Sequence, residues 1–451
     1  MDHQVFYTSY DNIFITVATA NSFEVTDNSE IVKRMFTIYS LQEWCRQLTV
    51  NNDDVLDKLE LENFDVAVVD ELLFTKCVYL VPHRLQIPWI TFSVGADPLA
   101  VRVPWLPSFV PNIILQLSEE MTFVERLKNT AAFFFVSFAM PLYFSDPLYE
   151  VLDKFRRYGY FSSLDELASK SALWFLPNDN VLDYPRPTMP NTINIGGLTV
   201  RRTTGKLPPD IKNFIDGAKK GVILMTFGTV TPSIPAHMVE KFASAFGRLD
   251  GYRVLWRLKN KDDVKLPDNV LIRPWLPQND ILAQPSVKLF ITHCGNNGQY
   301  ESVYHAVPMI GFPVLGDQHH NAKRLDHKGY GLSMDLHEFT VDDLLENIHK
   351  ILGDKLYKER VTKASEIFRS QAQSPVERAT FWIEHVCRFG GNHLRSAGND
   401  LPLYSYLMLD VLAFILIILH ISIYLLFRLL RLVVNKCCGR SASSNASKKN
   451  D

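Results

Sequence analysis

A chain of 451 residues, 47% hydrophobic and 21% charged, is long enough for two domains with sizeable cores and too apolar for a disordered protein. Its formal net charge of −2 gives no reason to expect a nucleic acid as partner. The six cysteines show neither CxxC pairs nor His/Cys ligand spacing, so neither a zinc site nor a disulfide framework is indicated.

At the amino terminus, Met1-Asp2-His3-Gln4 reads as no signal peptide, and the chain is expected to enter mid-domain with a strand at Asn12–Ala20. Phe64–Asp70 predicts a short buried strand ending in a carboxylate, with a helix from about Glu71 to Tyr79; taken alone, Asp70 is a strand-end aspartate capping that helix. Ile87–Val94 continues the sheet, and the Pro-punctuated loop Pro104–Pro111 suits the wall of an apolar pocket. Thr122 with Glu125, and Ser163 with Glu166, predict capping boxes. The Phe-rich run Ala131–Phe144, interrupted by Pro141, is too short to cross a bilayer and reads as a core helix, with contact at a membrane interface as the secondary reading. Leu173–Leu176 and Ile193–Gly196 are expected as the last strands of a first domain, residues 1–200. The polar, Pro- and Gly-bearing segment Arg201–Pro209 then serves as a linker.

A second domain, 201–390, opens with the strand Gly221–Phe227 and a Gly-containing turn through Thr229. Tyr252–Leu258 is the next strand, with Arg257 near its end. Downstream, the apolar runs Val270–Ile272, Leu289–Cys294 and Met309–Phe312 alternate with amphipathic patterns at Asn297–Ala306 and His319–His327. That alternation predicts βαβ units and a parallel sheet, with polar groups at the carboxyl ends of its strands, where open α/β sheets bind ligands. Phe290–Gly295 runs from strand into turn and Asn296-Asn297-Gly298 opens a helix. The free N–H groups of a helix start suit a phosphate or diphosphate; His293 can add a donor, and Glu301, one turn beyond Asn297, can accept from ribose hydroxyls. An ordinary Asn N-cap beside a satisfied histidine is the competing reading. A dinucleotide site is disfavoured, since no G-x-G-x-x-G follows Val222–Phe227.

Helices from about Val341, Lys355 and Pro375 close the second domain, and 391–403 is a polar spacer. Tyr404–Phe427 is apolar enough to span the ~30 Å hydrocarbon layer. Arg428, Arg431, Lys436 and Arg440 then make 428–451 a cytosolic tail by the positive-inside rule, with the domains in a lumen. Cys437-Cys438 suit acylation, with unmodified thiols as the alternative. Lys448-Lys449 match a dilysine retrieval signal of endoplasmic-reticulum membrane proteins, and the sequon Asn445-Ala446-Ser447, on the cytosolic side, should stay unused.

One ordered set of motifs goes further. Trp275-Leu276-Pro277-Gln278, Thr292-His293 with Gly295, Asn297-Gly298, Tyr300-Glu301, Val307-Pro308-Met309, Pro313, Gly316-Asp317-Gln318 and Asn321-Ala322-Lys323-Arg324 resemble the donor-binding signature of the UDP-glycosyltransferases, the membrane-bound UDP-glucuronosyltransferase type especially. The similarity extends through Phe227-Gly228-Thr229 and Leu255-Trp256-Arg257, and more weakly to Phe64–Asp70 and Met121–Lys128. The resemblance implies a GT-B fold: two Rossmann-like domains facing across a cleft, the first for the acceptor and N-terminally incomplete, the second for the UDP-sugar. It implies inverting transfer of a hexosyl or glucuronosyl group to a small lipophilic acceptor, with the UDP-sugar as co-substrate and no metal or other cofactor. Trp275 would stack on uracil, Gln278 would bond uracil or ribose, and Glu301 would hold the ribose. Thr229, His293, Asn297 and Gly298 would meet the diphosphate, Arg257 would balance the nucleotide's charge, and Asp317 and Gln318 would bind sugar hydroxyls of glucose or glucuronic acid. Asp70 matches the aspartate that orients the family's histidine base, yet only His3 and His83 precede residue 200 and neither matches that base. The competing class is therefore a catalytically impaired, nucleotide-sugar-binding membrane subunit that forms homo- or hetero-oligomers with complete homologues.

Overall fold

The computed structural model describes residues 53–71, 76–94, 101–139, 149–228, 234–258 and 264–444. The chain forms two compact units, one running to Arg395 and the other from Ser396. The strand expected at Asn12–Ala20, the position of Thr229, the side chains of Cys437 and Cys438, and the tail with Asn445 and Lys448 lie outside the described residues.

The first unit holds two parallel sheets. The larger has β5 (Gly221–Thr226), β6 (Tyr252–Arg257), β7 (Val270–Arg273), β8 (Val287–Thr292), β9 (Met309–Gly311) and β10 (Gly331–Ser333) in the order β10-β9-β8-β5-β6-β7. β5 is buried along its whole length, as a continuous apolar run must be when helices cover both faces. Its alternation still sorts the two faces. Ile223 and Met225 pack with Phe242, Trp256 and Phe312, whereas Val222 and Leu224 pack with Phe290, Tyr300 and Leu325. Chain order reverses at β5, which pairs with both β6 and β8. Such a switch point leaves a crevice at the carboxyl ends of its strands.

The smaller sheet has β1 (Ala67–Glu71), β2 (Trp89–Ser93), β3 (Leu173–Leu176) and β4 (Thr192–Asn194) in sequence order. One face packs Val69, Trp89 and Trp174 over Leu56, Tyr79 and Phe155. The other packs Ile90, Leu173, Phe175 and Ile195, and its cover is the helix Pro375–Phe389 through Ala379 and Val386. That helix, expected to close the second domain, thus lies on the first sheet.

Several local expectations are revised. Of the helix expected from about Glu71 to Tyr79, Glu71 belongs to β1, 72–75 lie outside the described residues, and Lys76–Tyr79 is a 3-10 turn that precedes the helix Leu80–Leu85. Glu71 stays in the strand because its buried carboxylate accepts from Tyr79 Oη at 2.7 Å. Thr122 and Glu125 form the full capping box, but Glu166 turns to the Ser162 N–H and hydroxyl, leaving Ser163 as a simple N-cap. In its described part, 131–139, the Phe-rich run is not a core helix: Phe123–Phe134 continues into a π-helical turn, Phe135–Ala139, with Phe134 and Phe135 about half exposed and Phe133 stacked on Trp105, while 140–144 lie outside the described residues. Cys77, buried in the 3-10 turn, is disulfide-bonded, which cysteine spacing does not reveal.

The lobes carrying the two sheets are tied through one buried charge. Arg324 pairs with Asp183 of the segment between β3 and β4, and its Nε and Nη2 donate to Gln299 Oε1 at 3.1 and 2.9 Å. Tyr300 Oη donates to the other Asp183 oxygen at 2.6 Å, and Arg324 also bonds Asn296 Oδ1. Burial alone would raise the Asp183 pKa, but Arg324, Arg186 and the Tyr300 hydroxyl outweigh it and hold the carboxyl below its ordinary range. The linker is equally fixed: Asp280 Oδ1 accepts from the Thr204 N–H at 2.7 Å and the Thr203 hydroxyl at 3.0 Å, and Asn279 Nδ2 donates to the Arg201 carbonyl at 3.0 Å.

In the second unit, the expected span Tyr404–Phe427 is broken at its start. Leu403–Tyr406 is a separate turn, and Met408, at φ 52°, reverses the backbone before the helix Leu409–Ser444 begins. Leu409–Lys436, with mean hydropathy 2.5, is by length and composition able to cross a membrane.

Removing one partner of a buried ion pair strands the other charge, which costs about 3–5 kcal/mol. Asp183→Ala should therefore destabilise the chain by about that amount, and Tyr300→Phe by only about 1 kcal/mol, the net value of one hydrogen bond. Denaturant unfolding followed by tryptophan fluorescence measures both, and equal effects would show that Arg324 does not depend on Asp183.

Candidate functional site at the sheet switch point

The residues singled out above follow the carboxyl ends of successive strands. His293 stands immediately after β8, Phe227-Gly228 after β5, Arg257 at the end of β6, and Trp275 two residues beyond β7. The crevice at the switch point therefore collects them.

His293 is enclosed between two glycines. A β-carbon built on Gly228 or Gly295 would stand 2.6 or 2.5 Å from the imidazole Nε2, so both positions exclude any larger residue while His293 keeps its place. Gly228 also needs its left-handed φ of 75°. Burial, reinforced by the charge of Arg257, pushes the His293 pKa down to about 4, so the ring is neutral near pH 7. Its Nδ1 is buried without a hydrogen-bond partner. The expected Asn N-cap is not formed: the cap of the helix Asn296–Tyr304 is Gly295, and no side chain caps it. Asn296 instead donates to the Pro177 carbonyl at 2.8 Å. Asn297 is exposed in the first turn, and Gly298 is buried against Phe290 and Gln278. A helix start with open N–H groups, next to a neutral imidazole with a free nitrogen, has the donors that an anionic oxygen needs.

Arg257 donates to the Gly228 carbonyl, and its guanidinium lies 5.4 Å from the Trp275 ring centroid. Trp275 is 65% exposed, leaving one large aromatic face open to a planar ligand. Gln278 opens a short helix and donates through Nε2 to Glu301 Oε2 at 2.7 Å. The pair holds Glu301 in one orientation. Burial raises the Glu301 pKa, with Gln278, Thr199 and Arg201 opposing it.

Past β9 the chain turns to the helix Gln318–Lys328. Asp317, at its start, accepts from Asn321 Nδ2 at 2.7 Å, and the same amide group donates to the Cys294 carbonyl at 3.0 Å, linking this turn to the β8 turn. Burial raises the Asp317 pKa, with Asn321 opposing. Gln318 spends its carbonyl oxygen on the Val314 and Leu315 N–H groups at 2.8 and 3.0 Å, so its amide nitrogen is the part left for a ligand. Asp70, by contrast, sits on β1 of the smaller sheet, exposed and without a hydrogen bond among the described residues. The group that sequence reasoning passed over is Asp183, Gln299 and Arg324 behind the helix start. Their only signal was Arg324 inside the motif, because its partner lies 141 positions away.

Because Glu301 holds its proton more tightly in the folded chain than in the unfolded one, whose reference is 4.5, folding binds protons in the window above that value. Stability from this group is present at low pH and declines as pH rises through the folded pKa. Glu301→Gln keeps the acceptor for Gln278 and removes the titration. The variant should gain stability relative to the parent between about pH 4 and pH 7, read from denaturant midpoints at the two pH values; parallel curves would contradict the burial argument.

Comparison with known proteins agrees with this geometry. Residues 3–443 match the family model described as UDP-glucoronosyl and UDP-glucosyl transferase. The chain is 32% identical over 447 residues to UDP-glucuronosyltransferase 1A5 of Rattus norvegicus, covering 97% of this chain and 82% of that protein. It is 31% identical over 407 residues to the rat 2-hydroxyacylsphingosine 1-beta-galactosyltransferase, covering 89% and 74%. Among solved structures it resembles spinosyn forosaminyltransferase SpnP, with TM-score 0.55 and 20% identity over 76% of this chain and 82% of that one. A UDP-glucosyltransferase from Polygonum tinctorium gives TM-score 0.54 and 16% identity over 81% and 84%. These likenesses and the two parallel sheets establish the GT-B fold, and with the match along nearly its whole length the chain belongs to the UDP-glucuronosyl and UDP-glucosyl transferase family.

Proposed function

We propose that this chain transfers a hexosyl or glucuronosyl group from a UDP-sugar to a small lipophilic acceptor, with inversion at the anomeric carbon. The observation that carries the reading is the convergence of Arg257, Trp275, Gln278, His293 and Glu301 on one crevice beside an uncapped helix start. Trp275 offers its open face to uracil, the Gln278–Glu301 pair takes the ribose, and Asp317 with the Gln318 amide takes sugar hydroxyls. The first-turn N–H groups at Asn297 and Gly298, His293 and the position of Thr229 meet the diphosphate. As the glycosidic bond breaks, negative charge grows on the departing UDP. Donors fixed beforehand in a partly dehydrated crevice stabilise that charge without reorganising, which is the electrostatic part of the rate gain.

The acceptor's hydroxyl must also lose a proton, and Asp70 is assigned to orient the base that takes it. A second reading, in which the chain binds UDP-sugar and partners complete homologues without turning it over, rests on the sequence, where only His3 and His83 precede residue 200 and neither matches the family's base. The lobes are assigned to the lumen of the endoplasmic reticulum and the tail to the cytosol. Support comes from the helix Leu409–Lys436, the basic residues at its far end, and the disulfide at Cys77, since disulfides persist in oxidising compartments.

Full-length protein in detergent should bind UDP by calorimetry. A neutral histidine donor is worth less than a charged one, so His293→Ala should weaken binding by about 0.5–1.5 kcal/mol. That loss should not change between about pH 5.5 and 8, since the ring stays neutral there. Absence of UDP affinity in the parent would remove the donor-site assignment. A mass-spectrometric screen of UDP-glucose, UDP-galactose and UDP-glucuronic acid against a phenol panel then separates the readings, because binding without transfer is the outcome of the impaired subunit. For topology, a tag after residue 444 should be digested by protease added to sealed microsomes; a protected tag would reverse the orientation.

A further inference from the structure

The helix Gln318–Lys328 turns one face to the first lobe, and His319, His320, Arg324 and His327 recur on that face at helical spacing. Arg324, near the middle, holds Asp183. On the amino-terminal side of that pair, Gln116 Nε2 donates to His319 Nδ1 at 3.1 Å, and the Leu115 carbonyl accepts from the buried His320. On the carboxyl-terminal side, His327 Nε2 stands 3.7 Å from Glu119 Oε1. The first-lobe segment Leu115–Glu119 therefore meets the helix on both sides of the ion pair. A single buried pair is a pivot about which a helix can tilt, and contacts on either side of it stop the tilt. At 1.5 Å per residue Gln318 lies about 9 Å from Arg324, so a tilt of about 5° carries the turn at Asp317 and Gln318 by about 0.8 Å. Ligand-binding groups need placement to within about 0.5 Å. Inside the turn both side chains are already braced, Asp317 by Asn321 and Gln318 by the Val314 and Leu315 N–H groups. What the outer contacts add is the placement of the whole turn relative to the first lobe. Gln116 is exposed, and a surface bond of this kind adds little to folding stability.

We infer that Gln116, through its bond to His319, is a positioning residue for the donor sugar: with Glu119 it seats the first turn of this helix, and so Asp317 and Gln318, against the first lobe. The inference rests on the proposed reading that Asp317 and Gln318 take sugar hydroxyls. The nucleotide is assigned to Trp275, Gln278, His293 and Glu301, on the segments that follow β7 and β8. Loss of the Gln116 contact therefore separates the sugar from the nucleotide: the affinity for UDP-sugar falls and that for UDP does not.

The test measures, by calorimetry on full-length protein in detergent, the affinities for UDP and for UDP-glucose, UDP-galactose and UDP-glucuronic acid, with the tightest of the three sugars as probe. Gln116→Met keeps the length of the side chain and removes its N–H donors. It should weaken the UDP-sugar roughly 3–10-fold, the contribution of about one hydrogen bond, and leave UDP within about twofold. Gln116→Lys, which returns a donor of similar reach, should recover part of the loss. His319→Ala should show the same sugar-selective loss, and adding Gln116→Met to it should weaken the sugar by no more than about twofold further. Equal weakening of UDP and UDP-sugar would make the contact a prop for the lobe alone and overturn the inference, as would additive losses in the double variant. Absence of UDP binding in the unmodified chain removes the donor site and this inference together. Unchanged UDP and UDP-sugar affinities in Gln116→Met remove this inference and leave the donor site standing.

Discussion

Holding the charge of Arg324 inside the protein is the constraint on which the rest of the first unit depends. The guanidinium is 2% exposed, and without compensation its desolvation would cost several kcal/mol. Compensation comes from Asp183 in one lobe and from Gln299 and Asn296 in the other, so the network is complete only when the lobes are docked. Gln299 and Asn296 belong to the helix whose first turn forms part of the donor crevice. The ion pair therefore positions that helix as well as joining the lobes, and the geometry of the crevice is inherited from an interaction that never touches a ligand.

The crevice itself shows the opposite balance. Its ionisable groups are placed where burial opposes their charge: Glu301 and Asp317 are pushed up and His293 is pushed down. Neighbours oppose the shift at the carboxyls, Gln278, Thr199 and Arg201 at Glu301 and Asn321 with Arg324 at Asp317, while His293 Nδ1 is buried without a hydrogen-bond partner. Such groups are less stable than apolar replacements would be.

The second sheet was legible because its strands are short apolar runs bounded by Pro, Gly and Asp, and the order of Trp275, Gln278, His293, Glu301 and Asp317 along it is a local property. What local pattern cannot carry is pairing across distance. Asp183 and Arg324 meet over 141 positions, and the Asp280 clamp on Thr203 and Thr204 over more than 70, so neither leaves a periodic trace. Helix boundaries failed where a side chain found a better partner than expected. Glu71 was drawn into β1 by Tyr79, and Asn296 reached Pro177 instead of capping its own helix. The phenylalanines of 131–139 were misread for a different reason: apolar composition predicts burial, but here the helix has only one covered side, with Phe133 on Trp105.

The helix Pro375–Phe389 makes the chain cross between lobes twice, once through Arg201–Lys206 and again on its return to the first sheet. Two covalent crossings keep the lobes from separating. The return also breaks the correspondence between sequence and module. A fragment ending near Arg369 would keep every strand of the larger sheet yet strip Ala379 and Val386 from the smaller one, exposing an apolar face at the acceptor half. The separable piece of this protein is therefore the tail beyond Arg395, and a shorter soluble form has to carry Phe389 with it.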